Sequence, residues 1–309
     1  MAQYKAVDGV AQDFHLVHLG ARAVGGAALV MVEMTSPAPE GRITPGCPGL
    51  WNEEQAAALN ASSTSCTATA RKNRSAAGPQ RPQRLDLRRL GRHGRTVARR
   101  QLAADGRQRR AVWRAEPGAP RHDPRRHGPV TAQFVAATRR AAEAGFDWLE
   151  LHCAHGYLLS SFICPLTNRR TDDYGGSIEN RCRYPLEVFA AMRAAWPAER
   201  PMSVRISAHD WAPGGNTPDD AVVARLFKAA GCDVIDVSSG QTTREAKPVY
   251  GRMYQTPFAD RIRNEVGIQT MAVGAISEAD HANSIIAAGR ADLCAVARPA
   301  SGGPGLDAA

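Results

Sequence analysis

Nowhere does the 309-residue chain hold a run of 18 apolar residues, so no membrane-spanning helix is expected. Its opening, MAQYKAVDG, lacks the basic-then-apolar order of a secretory signal. Seven cysteines show no paired spacing, which argues against a disulfide framework and for free thiols in a reducing cytoplasm. A zinc centre is poorly supplied as well. The histidines at 152 and 155 are spaced H-x-x-H rather than as a helical H-E-x-x-H, and no C-x-x-C accompanies them.

A second absence is regional. Residues 61–130 contain no isoleucine, methionine, phenylalanine or tyrosine, and no sustained strand or helix period. Arginine fills the space: 17 arginines and one lysine stand against four acidic residues, a net +14. The whole chain carries +9, so everything outside this window is mildly acidic, at −5. Any nucleic-acid reading of the basic balance therefore depends on this window alone, where only Trp113 could stack on a base.

Outside the window the pattern is regular. Apolar positions at 14, 16, 17, 19, 21 and 24 predict a helix packing one face, stopped by Gly25 and Gly26. Residues 27–34 (AALVMVEM) predict a buried strand, and a helix opens over 51–59. Further on, 134–145 predicts a helix capped by Gly145, and Ser177 can cap one running to 196. Buried strands are expected at 202–208, 233–238, 269–274 and 293–297, with helices over 217–231 (capped by Thr217) and 278–289 between them. Strand and helix alternate without tandem repetition. That argues an α/β fold with a parallel sheet, and eight such units argue a TIM barrel.

The stretch 146–183, FDWLELHCAHGYLLSSFICPLTNRRTDDYGGSIENRCR, organises the rest. A short apolar strand ends in His152, and alternation puts Trp148, Glu150 and His152 on one face and Leu149 and Leu151 on the other. A carboxylate and an imidazole on one face of a buried strand look like an active-site wall. A lone histidine at a strand end would more often be a core or loop residue, but here the pattern is long. The run from His152 to Arg181, with both histidines, Tyr157 and the YGGS-x-EN-R tail, resembles the signature of the Old Yellow Enzyme family. These are NADH:flavin oxidoreductases, or ene-reductases, built as FMN-binding (β/α)8 barrels. The chain is similar in particular to the flavin-reductase-like module fused to aromatic acyl-CoA monooxygenases.

The resemblance implies roles. His152 and His155 would hold the substrate's carbonyl or other electron-withdrawing oxygen over the flavin, and Tyr157 would protonate the carbon that receives no hydride. The residue types suit that chemistry, because hydride transfer builds enolate-like charge on the oxygen and two imidazole N–H donors stabilise it. A phenol can deliver a proton without carrying charge beforehand. Arg205, on a buried strand, needs an anionic partner. The family places such a cation at the flavin's pyrimidine edge, and a barrel carboxylate such as Glu150 is the alternative. Backbone at Met1, Ala2 and Met34 would touch the flavin, and Tyr4 would face substrate. Gly274, Ala297 and Arg298 would form the phosphate site, with Ala297 standing where the family usually has glycine. FMN is thus the implied cofactor, with NADH or NADPH as reductant and a small molecule as substrate. A homo-oligomer, or fusion to a monooxygenase domain as in relatives, are the implied protein partners; nucleic acid and membrane are not.

Family members carry a third strand and flavin-binding residues where this chain has 60–130. Three readings compete: a nucleic-acid arm, a natural disordered insertion, and a frame-shifted translation of a GC-rich gene. The third is favoured because the segment replaces family sequence at nearly the expected length. The expected organisation is an N-terminal barrel part (1–59), the aberrant and poorly ordered segment (60–130), the catalytic barrel part (131–299) and a tail (300–309). With the first strand, third strand and last helix missing or unrecognisable, the barrel is incomplete. The alternative to an active FMN enzyme is then a non-catalytic remnant with weak or no FMN binding.

Overall fold

The computed structural model describes residues 2–63, 127–218 and 221–297, with the backbone of two short strands between the first two blocks. In chain order the first part holds α1 (Asp13–Val24), β1 (Met34–Thr35) and helix α2 over 53–63. The two short strands are β2 (Thr96–Val97) and β3 (Gln101–Leu102). Then follow α3 (His127–Glu143), β4 (Leu149–Cys153), α4 (Leu158–Ile163), α5 (Ile178–Ala195) and β5 (Met202–Ser207). The last units are α6 (Val222–Ala229), β6 (Val234–Ser238), α7 (Thr256–Val266), β7 (Gln269–Val273), α8 (Ala279–Ala287) and β8 (Leu293–Ala295).

All strands pair in parallel, in the order β1-β3-β4-β5-β6-β7-β8-β2. Parallel neighbours need a crossover, and here helices supply it, which makes the fold an incomplete (β/α)8 barrel. The two strand positions left empty by the sequence pattern are taken by two-residue strands. β3 lies between β1 and β4, the third-strand place, and β2 lies beside β8. Two residues have no periodicity to read, so neither was visible in the sequence.

The alternation expected along β4 is observed. Trp148 joins Met31, Val234, Met271, Leu293 and Ala295 in a cluster inside the barrel. Leu149 and Leu151 face outward into the larger core shared with the helices, among them Phe134, Val188, Phe189 and Phe227. Each such fully buried leucine or phenylalanine is worth about 1.5–3 kcal/mol. Ser177 caps α5, its hydroxyl accepting the Asn180 N–H at 3.3 Å. Arg181 donates to the Ile163 and Gly176 carbonyls and Arg183 to that of Asp173, so these arginines tie down the preceding loop.

Several boundaries move. α3 starts at His127, seven residues before the predicted start, because Pro129 falls in the first turn, where its missing N–H costs nothing. The helix predicted from Thr217 begins only at Val222, and Ala221 rather than Thr217 sits at its N-cap. Two backbone and side-chain bonds between Asp210 and Asn216 keep that stretch in the loop. Of the strand predicted over 27–34, the described ladder pairing with β3 is at Met34, continuing to Thr35, since β3 is itself two residues long. On α1 the buried stripe is His15, Leu19 and Ala23, whereas Phe14, Leu16, Val17 and Val24, predicted to pack, are exposed. The expected disorder or frame-shift of 60–130 falls mainly on residues outside the described ones, as do the 300–309 tail and the last helix.

Candidate functional site

Register places the polar residues of β4, β5 and β6 in layers. Glu150 lies opposite Ser203, and one layer higher His152 lies opposite Arg205, which lies opposite Asp236. In the lower layer the Trp148 indole N–H donates to Ser203 Oγ at 2.8 Å, and Ser203 donates to Glu150 Oε2 at 2.9 Å. In the upper layer Arg205 Nη1 is 3.5 Å from Asp236 Oδ2, both side chains being buried. The carboxylate that register and distance place beside Arg205 is Asp236; Glu150 lies one layer lower, where Ser203 donates to it.

The top layer is Ser207 and Ser238, the last residues of β5 and β6. These two hydroxyls seat His155. Ser207 Oγ accepts the His155 backbone N–H at 2.9 Å, and Ser238 Oγ meets His155 Nε2 at 2.7 Å. The clamp matters because His155 has φ +63, a conformation that an L-residue adopts only when held. Ser238 also accepts from Arg205 Nη2 at 3.1 Å, which joins the cation to the imidazole through one oxygen. His152 and His155 have ring centroids 5.1 Å apart, and Tyr157, at the N-cap of α4, lies 5.3 Å from His152. His152 is buried; His155 and Tyr157 are half-buried and so reachable from outside.

Around this centre the loops at the strand ends are strained and bonded together. Among the described residues, six of the seven non-glycine positions with positive φ lie there: Tyr4, His155, Trp211, Gln241, Met253 and Ala275. Ser239 donates to Gln255 Oε1 at 2.6 Å, Trp211 Nε1 donates to Ser239 at 2.9 Å, and Gln255 Nε2 donates to the Val273 carbonyl at 2.7 Å. Gly274 follows with φ +111, and a Cβ there would lie 2.4 Å from Gln255 Nε2, so only glycine fits. Buried Asp210 holds the outer loops, accepting from Cys164 Sγ at 3.0 Å, the Asn216 N–H at 2.8 Å and Thr242 at 2.5 Å. Burial, then the Asp210 charge, push the Cys164 thiol up to about 12.

The remaining predicted residues divide. Met34 is buried with its side chain against Cys47 and Ile43. Ala2 is half-buried, Tyr4 is 45% exposed, and Ala297 is exposed. Met1 and Arg298 lie outside the described residues. Sequence reasoning missed Ser207 and Gln255, and gave Ser238 no partner; the available signal was a serine closing each of two adjacent buried strands.

A family model described as NADH:flavin oxidoreductase / NADH oxidase matches residues 129–307. An NADPH dehydrogenase of Listeria monocytogenes serotype 4b is 39% identical over 305 residues, covering 94% of this chain and 81% of the relative. The chain belongs to the NADH:flavin oxidoreductase / NADH oxidase family. An NADPH dehydrogenase of Halalkalibacterium halodurans is 36% identical over 302 residues, with the same coverage. Among solved structures, morphinone reductase superposes with a TM-score of 0.74 at 22% identity, over 100% of this chain and 83% of that one. A 2-naphthoyl-CoA reductase in complex with 2-naphthoyl-CoA gives a TM-score of 0.79 at 20% identity, covering 99% of this chain but only 47% of that protein. At these identities the structures establish the shared barrel. With family membership comes an FMN-dependent oxidoreductase activity using a nicotinamide reductant.

The residues present fit FMN. A buried guanidinium, two imidazoles and the Gln255 amide converge at the ends of β4–β7, a donor set for an anionic heterocycle. At Gly274 the place a Cβ would take is filled by the Gln255 amide, which brings that donor against the end of β7.

Proposed function

We propose that the chain reduces an α,β-unsaturated or aromatic acyl compound, with His152, His155 and Tyr157 as the groups that touch it. One observation carries this reading: the three side chains meet beside Arg205 at the ends of adjacent strands. FMN, when bound, supplies the hydride, having received it from NADPH or NADH; the curated relatives' name favours NADPH. Arg205, with backbone at Ala2 and Met34, would hold the ring, and Gly274, Ala297 and Arg298 the phosphate end.

His152 and His155 each direct an N–H at one substrate oxygen and stabilise the negative charge that grows there. His155 is fixed in advance, its backbone by Ser207 and its ring by Ser238, so little reorganisation of it accompanies the reaction. Tyr157, open to the cleft, gives its phenolic proton to the substrate carbon. Arg205 stays cationic in the low-dielectric barrel because Asp236 lies next to it. The test is a titration of the purified, flavin-loaded protein with a phenol. A charge-transfer band expected in the parent should be absent from the His152→Ala, His155→Ala double variant; equal affinity in both sinks the assignment.

A second reading, that the chain binds FMN weakly or not at all, is favoured by the two-residue length of β1, β2 and β3. Flavin absorbance per mole of purified protein separates the two.

A further inference from the structure

The Gln3–Tyr4 segment, beside the mouth of the barrel, is held by one buried carboxylate. Glu33 directly precedes Met34, and its Oε2 accepts the Gln3 N–H at 2.6 Å, with the Tyr4 N–H at 3.5 Å. Its Oε1 faces His15 Nε2 at 3.5 Å; both side chains are 3% exposed. Neither of these two atoms has a hydrogen-bond partner elsewhere among the described residues. His15 Nδ1 accepts the Gln12 backbone N–H at 3.0 Å, which leaves the single proton of a neutral ring on Nε2, toward Glu33. Oε2 is thus satisfied by the segment's backbone, while Oε1 has the His15 ring as its neighbour without a hydrogen bond to it.

The opposite side of the segment is equally confined. A Cβ on Gly46 would lie 2.5 Å from the Tyr4 carbonyl oxygen, and the Ala6 N–H donates to the Gly46 carbonyl at 3.0 Å. Between these two supports Tyr4 adopts φ +56, which an unanchored chain would abandon. On α1 it is this His15, and not Phe14 or Val17, that lies inward.

We propose that Glu33, oriented by His15, is a positioning residue that fixes the pose of Tyr4 and through it the affinity for the oxidising substrate. This rests on the reading that Tyr4 faces substrate. Glu33→Gln is the informative change, because an amide keeps one acceptor oxygen where the carboxylate has two. Amide hydrogen exchange in the purified protein should rise about tenfold over residues 3–6 and stay unchanged in β4–β7. In the flavin-loaded enzyme, KM for an enone should rise about tenfold with kcat nearly constant, the pattern of lost uniform binding. In a Tyr4→Ala background the same substitution should change KM less than about twofold, since linked residues are not additive. Glu33→Asp should restore part of both effects.

Unchanged exchange at 3–6 overturns the anchoring. Faster exchange with KM effects that multiply across the double variant overturns action through Tyr4. Tyr4→Ala alone checks the underlying reading: if it leaves KM unchanged, Tyr4 does not face substrate and the affinity claim falls while the anchor stands. Should Glu33→Gln fail to fold, Gln3→Pro removes the Gln3 N–H that Glu33 accepts, along with the Gln3 side chain and the freedom of φ, and exchange over residues 4–6 with the same KM comparison decides.

Discussion

The two parts of the barrel hold their functional residues by different means. Across β4–β7, strands pair over five, five and four positions, and each inward side chain meets a neighbour in register. At the front, β1 and β3 pair over two positions and β3 and β4 over one. There the ladder cannot fix a side chain, and single contacts such as Glu33 to Gln3 do so instead. A ladder distributes position over many bonds; a tether concentrates it in one. Substitutions in the first part should therefore cost chemistry or whole-fold stability, and substitutions in the second should cost local order.

Arg205→Met presses hardest on the registered part. It leaves Asp236 without its cation in the barrel interior and should destabilise the fold by about 3–5 kcal/mol. Denaturant unfolding measures this; a loss near that of an exposed arginine, well under 1 kcal/mol, would mean the pair contributes little. The His152→Ala, His155→Ala double variant should instead keep most of its stability and lose roughly two to three orders of magnitude in reductase rate. Tyr157→Phe should slow alkene reduction by about a hundredfold while flavin reduction by NAD(P)H proceeds normally in stopped-flow. Equal slowing of both half-reactions would remove Tyr157 from the proton step.

The last effect appears only at alkaline pH and concerns buried thiols, most of them in the registered part. Burial pushes Cys164, Cys182 and Cys294 up to about 12, and Cys153 well above its ordinary 9.0. The folded state keeps these protons longer than the unfolded chain does. Their contribution is therefore complete below about pH 9 and lost as pH rises from there toward 12, at roughly 1.4 kcal/mol per pH unit for each thiol. Urea unfolding at pH 7, 9 and 10 should show stability falling only in the second interval.

What could be read in the sequence follows the same division. The strands β4–β8 and the inward face of Trp148, Glu150 and His152 are legible because each run is long enough to show alternation. β2 and β3 are too short for that. α7 went unread although its signals are present, Pro257 in the first turn and Gly267 as a left-handed C-cap. The face of α1 was misread because its buried stripe is His15, Leu19 and Ala23, with His15 against Glu33, while four other apolar side chains stay exposed. That the barrel carboxylate beside Arg205 is Asp236 could not be read, since layer height depends on register between strands, which no single strand reveals.

Ser238 has a consequence for where one proton resides. Its oxygen receives the Arg205 N–H at 3.1 Å, so its own hydrogen must go to His155 Nε2 at 2.7 Å or to Gln255 Oε1 at 3.4 Å. Gln255 Oε1 also accepts from Ser239 at 2.6 Å, and an amide oxygen takes two such bonds, so the Ser238 hydrogen has two acceptors within reach. A neutral imidazole that accepts at Nε2 carries its hydrogen on Nδ1. The direction of one serine hydrogen is thereby coupled to the ring tautomer of His155, and through it to which edge of His155 faces outward as a donor.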